Sequence, residues 1–178
     1  MHRLHSFSFL IASLMATVAL ADDLDTGVRG VGANIDLLWQ RIQIDEQFRA
    51  EGVAVGDFNH DGLNDIAAGD VWYQAPDWTR HEIRQPLNQA GKPTEKYDGS
   101  KGYSNSFALW AYDVNQDGWD DIIVVGYPGA PLYWYENPHK PDGHWPQHEI
   151  WHSACNETPL FTDVTGDDKP ELVCMTGG

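Results

Sequence analysis

The sequence predicts an all-β fold made of β-propeller-type repeats. Each repeat is an antiparallel blade of four strands, and the chain holds about two complete blades and one partial blade. Three acidic segments of nine residues begin at positions 57, 113 and 163, so they lie 56 and 50 residues apart. Repeats with periods of this size are typical of propellers and solenoids. Apolar runs flank the acidic segments, and a tryptophan-containing segment precedes each one.

The acidic segments carry oxygen-bearing side chains at positions 1, 3, 5 and 9. This is the ligand order that a hard cation needs when a loop wraps around it. We refer to residues 57–65, 113–121 and 163–171 as loops 1, 2 and 3. The pattern predicts three Ca²⁺ sites, whose ligands are Asp57, Asn59, Asp61 and Asp65 in loop 1, Asp113, Asn115, Asp117 and Asp121 in loop 2, and Asp163, Thr165, Asp167 and Glu171 in loop 3.

The residues that follow the loops indicate strands rather than helices. An EF-hand would carry a bidentate Glu at position 12 of each loop. This chain has Ala68, Val124 and Cys174 there. The runs after position 9 are short, apolar and partly β-branched, as in buried strands. Each loop is therefore predicted to join two strands.

A tryptophan mark precedes each loop. Residues 39–44, 78–83 and 145–150 share a Trp at the start, a long polar side chain two places on and an Ile at the end. Aromatic runs at residues 71–73 and 132–135 lie between successive loops. The predicted unit is therefore a Trp-marked strand, a hairpin around an acidic loop, an aromatic strand and a turn.

With these marks the chain resembles the FG-GAP/VCBS repeat family, whose calcium-loop blades build integrin-alpha-like β-propellers. The resemblance covers about residues 39–178. It rests on the two Asp-x-Asn-x-Asp-Gly-x-x-Asp loops and on the Trp-Tyr-Glu-Asn-Pro sequence at residues 134–138. It implies a metal-binding propeller in which Ca²⁺ stabilises the blades.

Loop 3 departs from the pattern of the other two. Thr165 replaces Asn, Asp168 stands where Gly is expected, and Glu171 replaces Asp. Glycine at position 6 allows the backbone to turn sharply. Gly166, two places earlier than Asp168, offers another position for the turn.

The N-terminal residues have the pattern of a secretory signal. Residues 1–21 hold a basic start, an apolar run and a small-residue cleavage site at Ala19-Leu-Ala21. A single transmembrane anchor is the alternative, but the run is short for a span. The predicted order is a signal peptide at 1–21, a lead-in at 22–38 and FG-GAP/VCBS-like repeats at 39–178. The protein is expected to be exported to the periplasm, the cell surface or the extracellular space.

The number of repeats is small for the predicted fold. A propeller typically has four or more blades of four strands. We therefore expect the repeats to be truncated at the C-terminus and to come from a longer parent. A small array that is not a propeller, or closure by oligomerisation, is the alternative.

Net charge excludes some partners. Without residues 1–21 the chain has ten basic residues against 27 acidic ones, a net charge of −17. Such a charge disfavours nucleic acids and anionic membranes as partners. Bound divalent cations would offset part of it, and the stability is expected to depend on calcium.

Other candidate groups are less specific. A second ligand or metal site could involve His148, His152, Cys155 and Glu157, although His148 and His81 occupy equivalent places in the tryptophan mark. Cys155 and Cys174 could form a disulfide in an oxidising compartment, or Cys174 could be a buried free thiol. The insert at residues 85–106 is either a binding loop, with contacts from Lys92, Lys96, Tyr97, Tyr103 and Asn105, or a mobile surface loop.

The sequence leaves two classes of function open. The favoured class is a binding or scaffold module for a protein or carbohydrate ligand, with structural ions. The alternative is the propeller domain of a metal-dependent sugar lyase of the aldosulose dehydratase type, which some similar repeats resemble. No nucleophile motif, paired acids or phosphate loop in the sequence supports an enzyme.

Overall fold

The computed structural model describes residues 40–87, 92, 103–155 and 157–176. The predicted signal peptide, the lead-in, Trp39, Lys96 and Tyr97 lie outside the described residues. The chain divides into two compact units, Met1–Ile42 and Gln43–Gly178. All of the strands described below belong to the second unit.

The described strands form two four-stranded antiparallel sheets and one hairpin. Strand order within each four-stranded sheet follows the chain, as in a propeller blade. None of the described residues lies in a helix, so this part of the chain has no helical segment that could cross a membrane. Blade 1 contains β1 (Ala54–Gly56), β2 (Asp65–Ala68), β3 (Val71–Gln74) and β4 (Thr79–Glu82); blade 2 contains β5 (Ala108–Tyr112), β6 (Asp121–Val125), β7 (Leu132–Tyr135) and β8 (Gln147–Trp151); the third hairpin contains β9 (Leu160–Thr162) and β10 (Glu171–Val173).

The all-β prediction and the blade unit are confirmed. Each acidic loop connects the two strands of a hairpin, β1 to β2, β5 to β6 and β9 to β10. The aromatic runs form β3 and β7, and the second and third tryptophan marks lead into β4 and β8. Short β-branched and aromatic runs separated by turn residues are the reason that the strands could be found from the sequence.

The first tryptophan mark differs from the other two. Residues 41–44 form no strand. In blades 1 and 2 the strand after the mark pairs with the aromatic strand that precedes it, β3 or β7. Within the described part of the chain, no aromatic strand precedes residues 41–44.

Residues 44–50 lie instead beside one face of blade 1. The Tyr73 hydroxyl donates to Asp45 Oδ2 over 2.5 Å, and Arg49 Nε donates to the same oxygen over 2.8 Å. Burial alone would raise the pKa of Asp45, but the hydrogen bonds from Tyr73, the Gln47 amide and Arg49 lower it to about 2. This contact fixes the chain that leads into β1.

The largest hydrophobic core lies between the two blades. Trp72, Tyr135 and Ile122 are each at most 1% exposed, and Phe58 contacts Trp72 and Trp145 edge to face, with centroids about 6 Å apart. Alternation along each strand places one set of side chains in this core and the other set on the opposite face. Its buried members are Ala54, Phe58, Ala67, Trp72, Ile83, Leu109, Ile122, Val124, Tyr135 and Trp145.

A second, smaller core lies between blade 2 and the third hairpin. Val125, Leu132 and Ala154 are buried there, and Leu172 and Cys174 from the third hairpin and its exit pack against them. Blade 2 therefore buries both faces, which explains why all five residues of β6 are buried. Strands buried on both faces read as continuous apolar runs.

Blade 1 and blade 2 are also joined by a buried arginine that the sequence analysis did not single out. Arg84 is 6% exposed and donates to Asp70 Oδ1 over 2.6 Å. It also donates to the Tyr135 hydroxyl, the Asn105 carbonyl and Ser106 Oγ, at 2.5, 3.1 and 2.9 Å. A buried guanidinium is stable only when its donors are paired. Arg84 therefore depends on both blades.

We predict that Arg84→Met lowers the free energy of unfolding by about 3–5 kcal/mol, because it leaves the buried Asp70 carboxylate without a counter-charge. Urea denaturation would measure the change. Arg80→Ala on the exposed surface of β4 is the control and should stay within about 0.5 kcal/mol of the unchanged protein. A loss of less than about 1 kcal/mol for Arg84→Met would contradict the assigned role.

Candidate metal loops

Loops 1 and 2 have the same backbone geometry. In loop 1, Asp57 Oδ1 accepts the Asp61 amide at 3.0 Å and Asp57 Oδ2 accepts the Gly62 amide at 2.9 Å. In loop 2, Asp113 accepts the amides of Asp117 and Gly118 at 3.0 and 2.9 Å. The side chain at position 1 thus closes the turn in both loops.

The turns have a left-handed backbone at positions 4 and 6 of each loop. Gly62 and Gly118 at position 6 have φ of 86° and 91°. A side chain is strained in that region, so the glycine of the motif has a conformational reason. In loop 3 the φ of Gly166 at position 4 is 79°, and that of Asp168 at position 6 is 65°. Loop 3 therefore keeps the left-handed residue at position 6 without the glycine.

The aspartates at position 9 are structural clips. Asp65 and Asp121 are fully buried. Asp65 accepts the amides of Phe58 and Ala75 at 3.0 and 2.8 Å. Asp121 accepts those of Val114 and Asn137 at 3.0 and 2.8 Å. Each carboxylate therefore ties the start of its loop to the end of the aromatic strand in the same blade.

The electrostatics of positions 5 and 9 differ. Burial raises the pKa of Asp65 and Asp121, and the nearby carboxylates of Asp61 and Asp117 raise it further, while the backbone hydrogen bonds lower it. At Asp117 desolvation acts in the same direction, but hydrogen bonds from the Trp119 amide, Asn115 and His139 bring the pKa below its usual value. A cation near the loop would favour the charged form at both positions.

Loop 3 is where the structure brings predicted carboxylate ligands together. Asp163, Asp167 and Glu171 each offer an oxygen, and these oxygens lie within 4.8 Å of one another. Glu171 accepts the Val164 amide at 2.8 Å, as the position-9 aspartates do, but it is only half-buried. Thr165 Oγ1 donates to Glu171 Oε1 at 3.0 Å, so the fourth predicted ligand of loop 3 also contacts this group of carboxylates.

Loops 1 and 2 present their predicted ligands differently. Asn59 Nδ2 donates to Asp61 Oδ2 at 2.8 Å, and Asn115 Nδ2 donates to Asp117 Oδ2 at 3.0 Å. Among the described residues, the three predicted carboxylate ligands of loop 1 or of loop 2 do not gather as those of loop 3 do, because Asp65 and Asp121 are held in the core by amides. The twelve predicted ligands thus lie in three loops that differ in how closely their oxygens approach.

Two residues outside the motif connect loops 1 and 2. Asp120 Oδ2 accepts the Asp57 amide at 3.1 Å. Asn137 Nδ2 donates to the Phe58 carbonyl at 2.9 Å and to the Asp120 carbonyl at 3.0 Å. The acidic pattern places Asp120 at position 8, which carries no expected ligand, so sequence reasoning missed it. For Asn137, the signal in the sequence was its place as the Asn of the Trp-Tyr-Glu-Asn-Pro sequence.

Within the described part of the chain, the members of the second predicted ligand group have separate partners, and the one cluster of possible metal ligands found there does not include them. His148 stacks on Trp134 with centroids 4.3 Å apart, and its Nε2 lies 2.8 Å from Glu136 Oε2. His81 stacks in the same way on Trp72, as expected for equivalent places in the repeat. The His152 ring contacts the Trp151 ring in a tilted arrangement, while Cys155 lies 3.5 Å from Ser153 Oγ. A site formed by His148, His152, Cys155 and Glu157 stays a prediction.

The two cysteines are free thiols in the structure, Cys155 exposed and Cys174 half-buried.

One described residue of the insert, Asn105, does not lie on the expected contact surface. Asn105 is 6% exposed, and its Oδ1 accepts the Tyr127 amide at 2.9 Å, so it supports the blades from inside. Tyr103 is 53% exposed and contacts Phe107 and Tyr127. It therefore remains available at the surface.

The comparison with known families agrees with this geometry. Residues 113–174 match the family model of the FG-GAP-like repeat. This segment is similar to an FG-GAP-like repeat. The matched segment begins at the first residue of loop 2 and includes all of loop 3. No curated protein and no solved structure matches the chain.

We predict that Asp121→Ala, in chelator, lowers the free energy of unfolding of the protein by about 2–4 kcal/mol. The change leaves the Val114 and Asn137 amides without an acceptor, and each buried unpaired donor costs about 1–3 kcal/mol. Asp117→Ala removes an exposed carboxylate from the same loop and is the matched control, with a much smaller expected effect. Equal effects of the two variants in urea denaturation would contradict the clip.

Proposed function

We propose that this protein is an exported, calcium-stabilised repeat module of the β-propeller type that acts in binding or as a scaffold. The FG-GAP-like repeat suggests a propeller-type binding or scaffold module. The approach of the Asp163, Asp167 and Glu171 oxygens to within 4.8 Å of one another is the observation that carries the calcium part of the proposal.

The donor set in the loops fits Ca²⁺ better than a transition metal. The predicted ligands are carboxylate, amide and hydroxyl oxygens, and Ca²⁺ takes six to eight oxygen ligands in flexible geometries. Imidazole and thiolate ligands, which suit zinc and copper, do not occur at positions 1, 3, 5 or 9 of any loop. Asp163, Thr165, Asp167 and Glu171 would hold the ion in loop 3.

A bound cation would stabilise the hairpins by reducing repulsion between carboxylates. The chain has a net charge of −16, and each loop concentrates at least three acidic side chains within nine residues. Repulsion of this kind disfavours the compact state. The loops connect neighbouring strands, so an ion there would act on the fold, and this supports a structural role for the ions.

The described residues favour a binding role over lyase chemistry. His148, which together with His152 is a histidine on which a catalytic role would depend, is held by Trp134 and Glu136 in a contact that His81 repeats in blade 1 with Trp72 and Gln74. A repeated contact indicates a structural task. The ligand that we propose is a protein or a carbohydrate, because the negative charge disfavours nucleic acid.

Export is the part of the proposal that rests on residues 1–21. Expression of the full chain in a bacterial host, followed by cell fractionation and N-terminal sequencing, tests it. We predict a mature protein outside the cytoplasm that begins at Asp22, because cleavage is expected after Ala21. Intact chain that begins at Met1 in the cytoplasm would contradict export.

We predict that millimolar Ca²⁺ raises the melting temperature of the purified protein by roughly 5–10 °C relative to chelator. Calcium at about a hundred times Kd adds about 2.7 kcal/mol for one site, and each kcal/mol shifts the melting temperature of a domain of this size by roughly 2–4 °C. Mg²⁺ should have a smaller effect, since it demands a stricter octahedral geometry. Differential scanning calorimetry measures both.

Two variants in loop 3 test whether its carboxylates are responsible. Asp167→Asn removes one of the three gathered carboxylates and should reduce the calcium-dependent shift. Asp168→Asn removes the same charge from the neighbouring residue and keeps a side chain that tolerates positive φ, so it should retain the shift. A melting temperature that is the same with calcium and with chelator would refute the calcium proposal.

A further inference from the structure

Loops 1 and 2 touch each other, although they belong to different blades. Their shared contacts involve the Asp57 amide on Asp120 Oδ2 at 3.1 Å and the Asn137 side chain between the Phe58 and Asp120 carbonyls. Phe58 and Asp120 are position 2 of loop 1 and position 8 of loop 2. The two backbones are therefore connected next to predicted ligands at positions 1 and 9.

Asn137 is the residue on which several of these bonds meet. Asn137 is 2% exposed, and its backbone amide donates to Asp121 Oδ1 at 2.8 Å. One residue thus contacts the second residue of loop 1 and the buried clip of loop 2. A shift of either loop would change the hydrogen bonds of the other, because a buried polar group that loses its partner is costly.

An aromatic stack connects the same loops at the surface. The His60 ring of loop 1 lies against the Trp119 ring of loop 2, with centroids 4.5 Å apart. Trp119 also stacks on His139 at 4.7 Å, and His139 Nε2 lies 2.9 Å from Asp117 Oδ2. This stack leads from position 4 of loop 1 to the carboxylate at position 5 of loop 2.

Loop 3 lacks the means to make equivalent contacts. Its positions 7 and 8 are Lys169 and Pro170, where loop 2 has Trp119 and Asp120. The side-chain hydrogen bonds found for residues of loop 3, within the described chain, stay inside residues 163–171. Loop 3 therefore provides an internal comparison for loops 1 and 2.

We propose that loops 1 and 2 bind their cations as a coupled pair through Asn137, Asp120 and Trp119, whereas loop 3 binds its cation independently. The inference rests on the proposed calcium function. A cation that orders one loop also orders the contacts of Asp57, Phe58 and Asp120, which join it to the other loop. The second ion then meets a loop that is already ordered, which is positive cooperativity.

Calcium titration by isothermal calorimetry on the full chain tests the coupling. The substitutions Asp61→Ala, Asp117→Ala and Asp167→Ala each remove the position-5 carboxylate of one loop, and a stoichiometry lower by one ion verifies each. Asp167→Ala leaves loops 1 and 2, while adding Asp117→Ala or Asp61→Ala leaves loop 1 or loop 2 alone. Far-UV dichroism confirms that each variant is folded.

For a coupled pair, the product of the two association constants in Asp167→Ala exceeds the product of the single-loop constants. We expect a factor of about five or more, within the usual range of roughly 5–150 for coupled sites. The same comparison for loops 2 and 3, measured in Asp61→Ala, should give a factor within about two of unity. Factors near unity for both pairs would overturn the proposal.

A second variant tests the route of the coupling. Asn137→Ala gives blade 2 the residue that blade 1 has at the equivalent place, Ala75, whose amide also binds a position-9 aspartate. In the Asp167→Ala background it should lower the factor, because the Asn137 bonds are lost while the contacts of Asp120 and Trp119 remain. Ser106→Ala, which removes a buried hydrogen bond to Arg84 before β5, is the control and should leave the factor unchanged.

Different results would refute calcium binding and the coupling of loops 1 and 2. If the unsubstituted chain takes up no Ca²⁺, the proposed function and the coupling both fall. If it takes up Ca²⁺ with a factor near unity for loops 1 and 2, only the coupling falls. If Asn137→Ala keeps a factor that Asp167→Ala shows, the assigned route is wrong.

Discussion

The blades depend on a buried carboxylate at the end of each of the first two acidic loops. Asp65 and Asp121 place a charge inside an apolar region, and burial raises their pKa. Both oxygens of each side chain accept backbone amides from two different parts of the blade. The loop, the second strand and the exit of the aromatic strand therefore cannot move independently.

This arrangement connects the fold to the charge of the loops. A carboxyl group whose pKa is raised by folding contributes stability below its unfolded pKa, and this contribution is lost as the pH rises through the folded value. Asp61 and Asp117 worsen the cost of the charged clip at neutral pH. A cation bound by those outer carboxylates would reverse their effect, so the same residues that could bind Ca²⁺ would also relieve the buried aspartate.

Much of the architecture follows from local sequence signals. The acidic loops, the β-branched runs and the tryptophan marks identify the hairpins and the outer strands, because each signal has a backbone or packing cause within a few residues. The contacts between blades have no such local signal. Arg84 lies in a polar segment after β4, and its partners Asp70, Tyr135 and Ser106 are 14, 51 and 22 residues away. Such a network becomes visible only in three dimensions.

The candidate site shows the same division between local and distant causes. The spacing of oxygen ligands predicts all three loops equally, although loop 3 departs from the pattern of the other two at positions 3, 6 and 9. In the structure, one of those departures, Glu171, is a member of the gathered carboxylates. Glutamate at position 9 has one more methylene than aspartate, so Glu171 reaches the Val164 amide and stays close to Asp163 and Asp167.

Position 9 therefore faces a conflict between two tasks. A short side chain buried on two amides makes a rigid clip, as Asp65 and Asp121 do, but it is withdrawn from the outer carboxylates of its loop. A longer and half-exposed side chain reaches the cluster but anchors less of the blade. β9 and β10 form a two-stranded hairpin that packs on blade 2 through a small core. The length of the side chain at position 9 therefore decides whether a loop anchors its blade or completes a group of carboxylates.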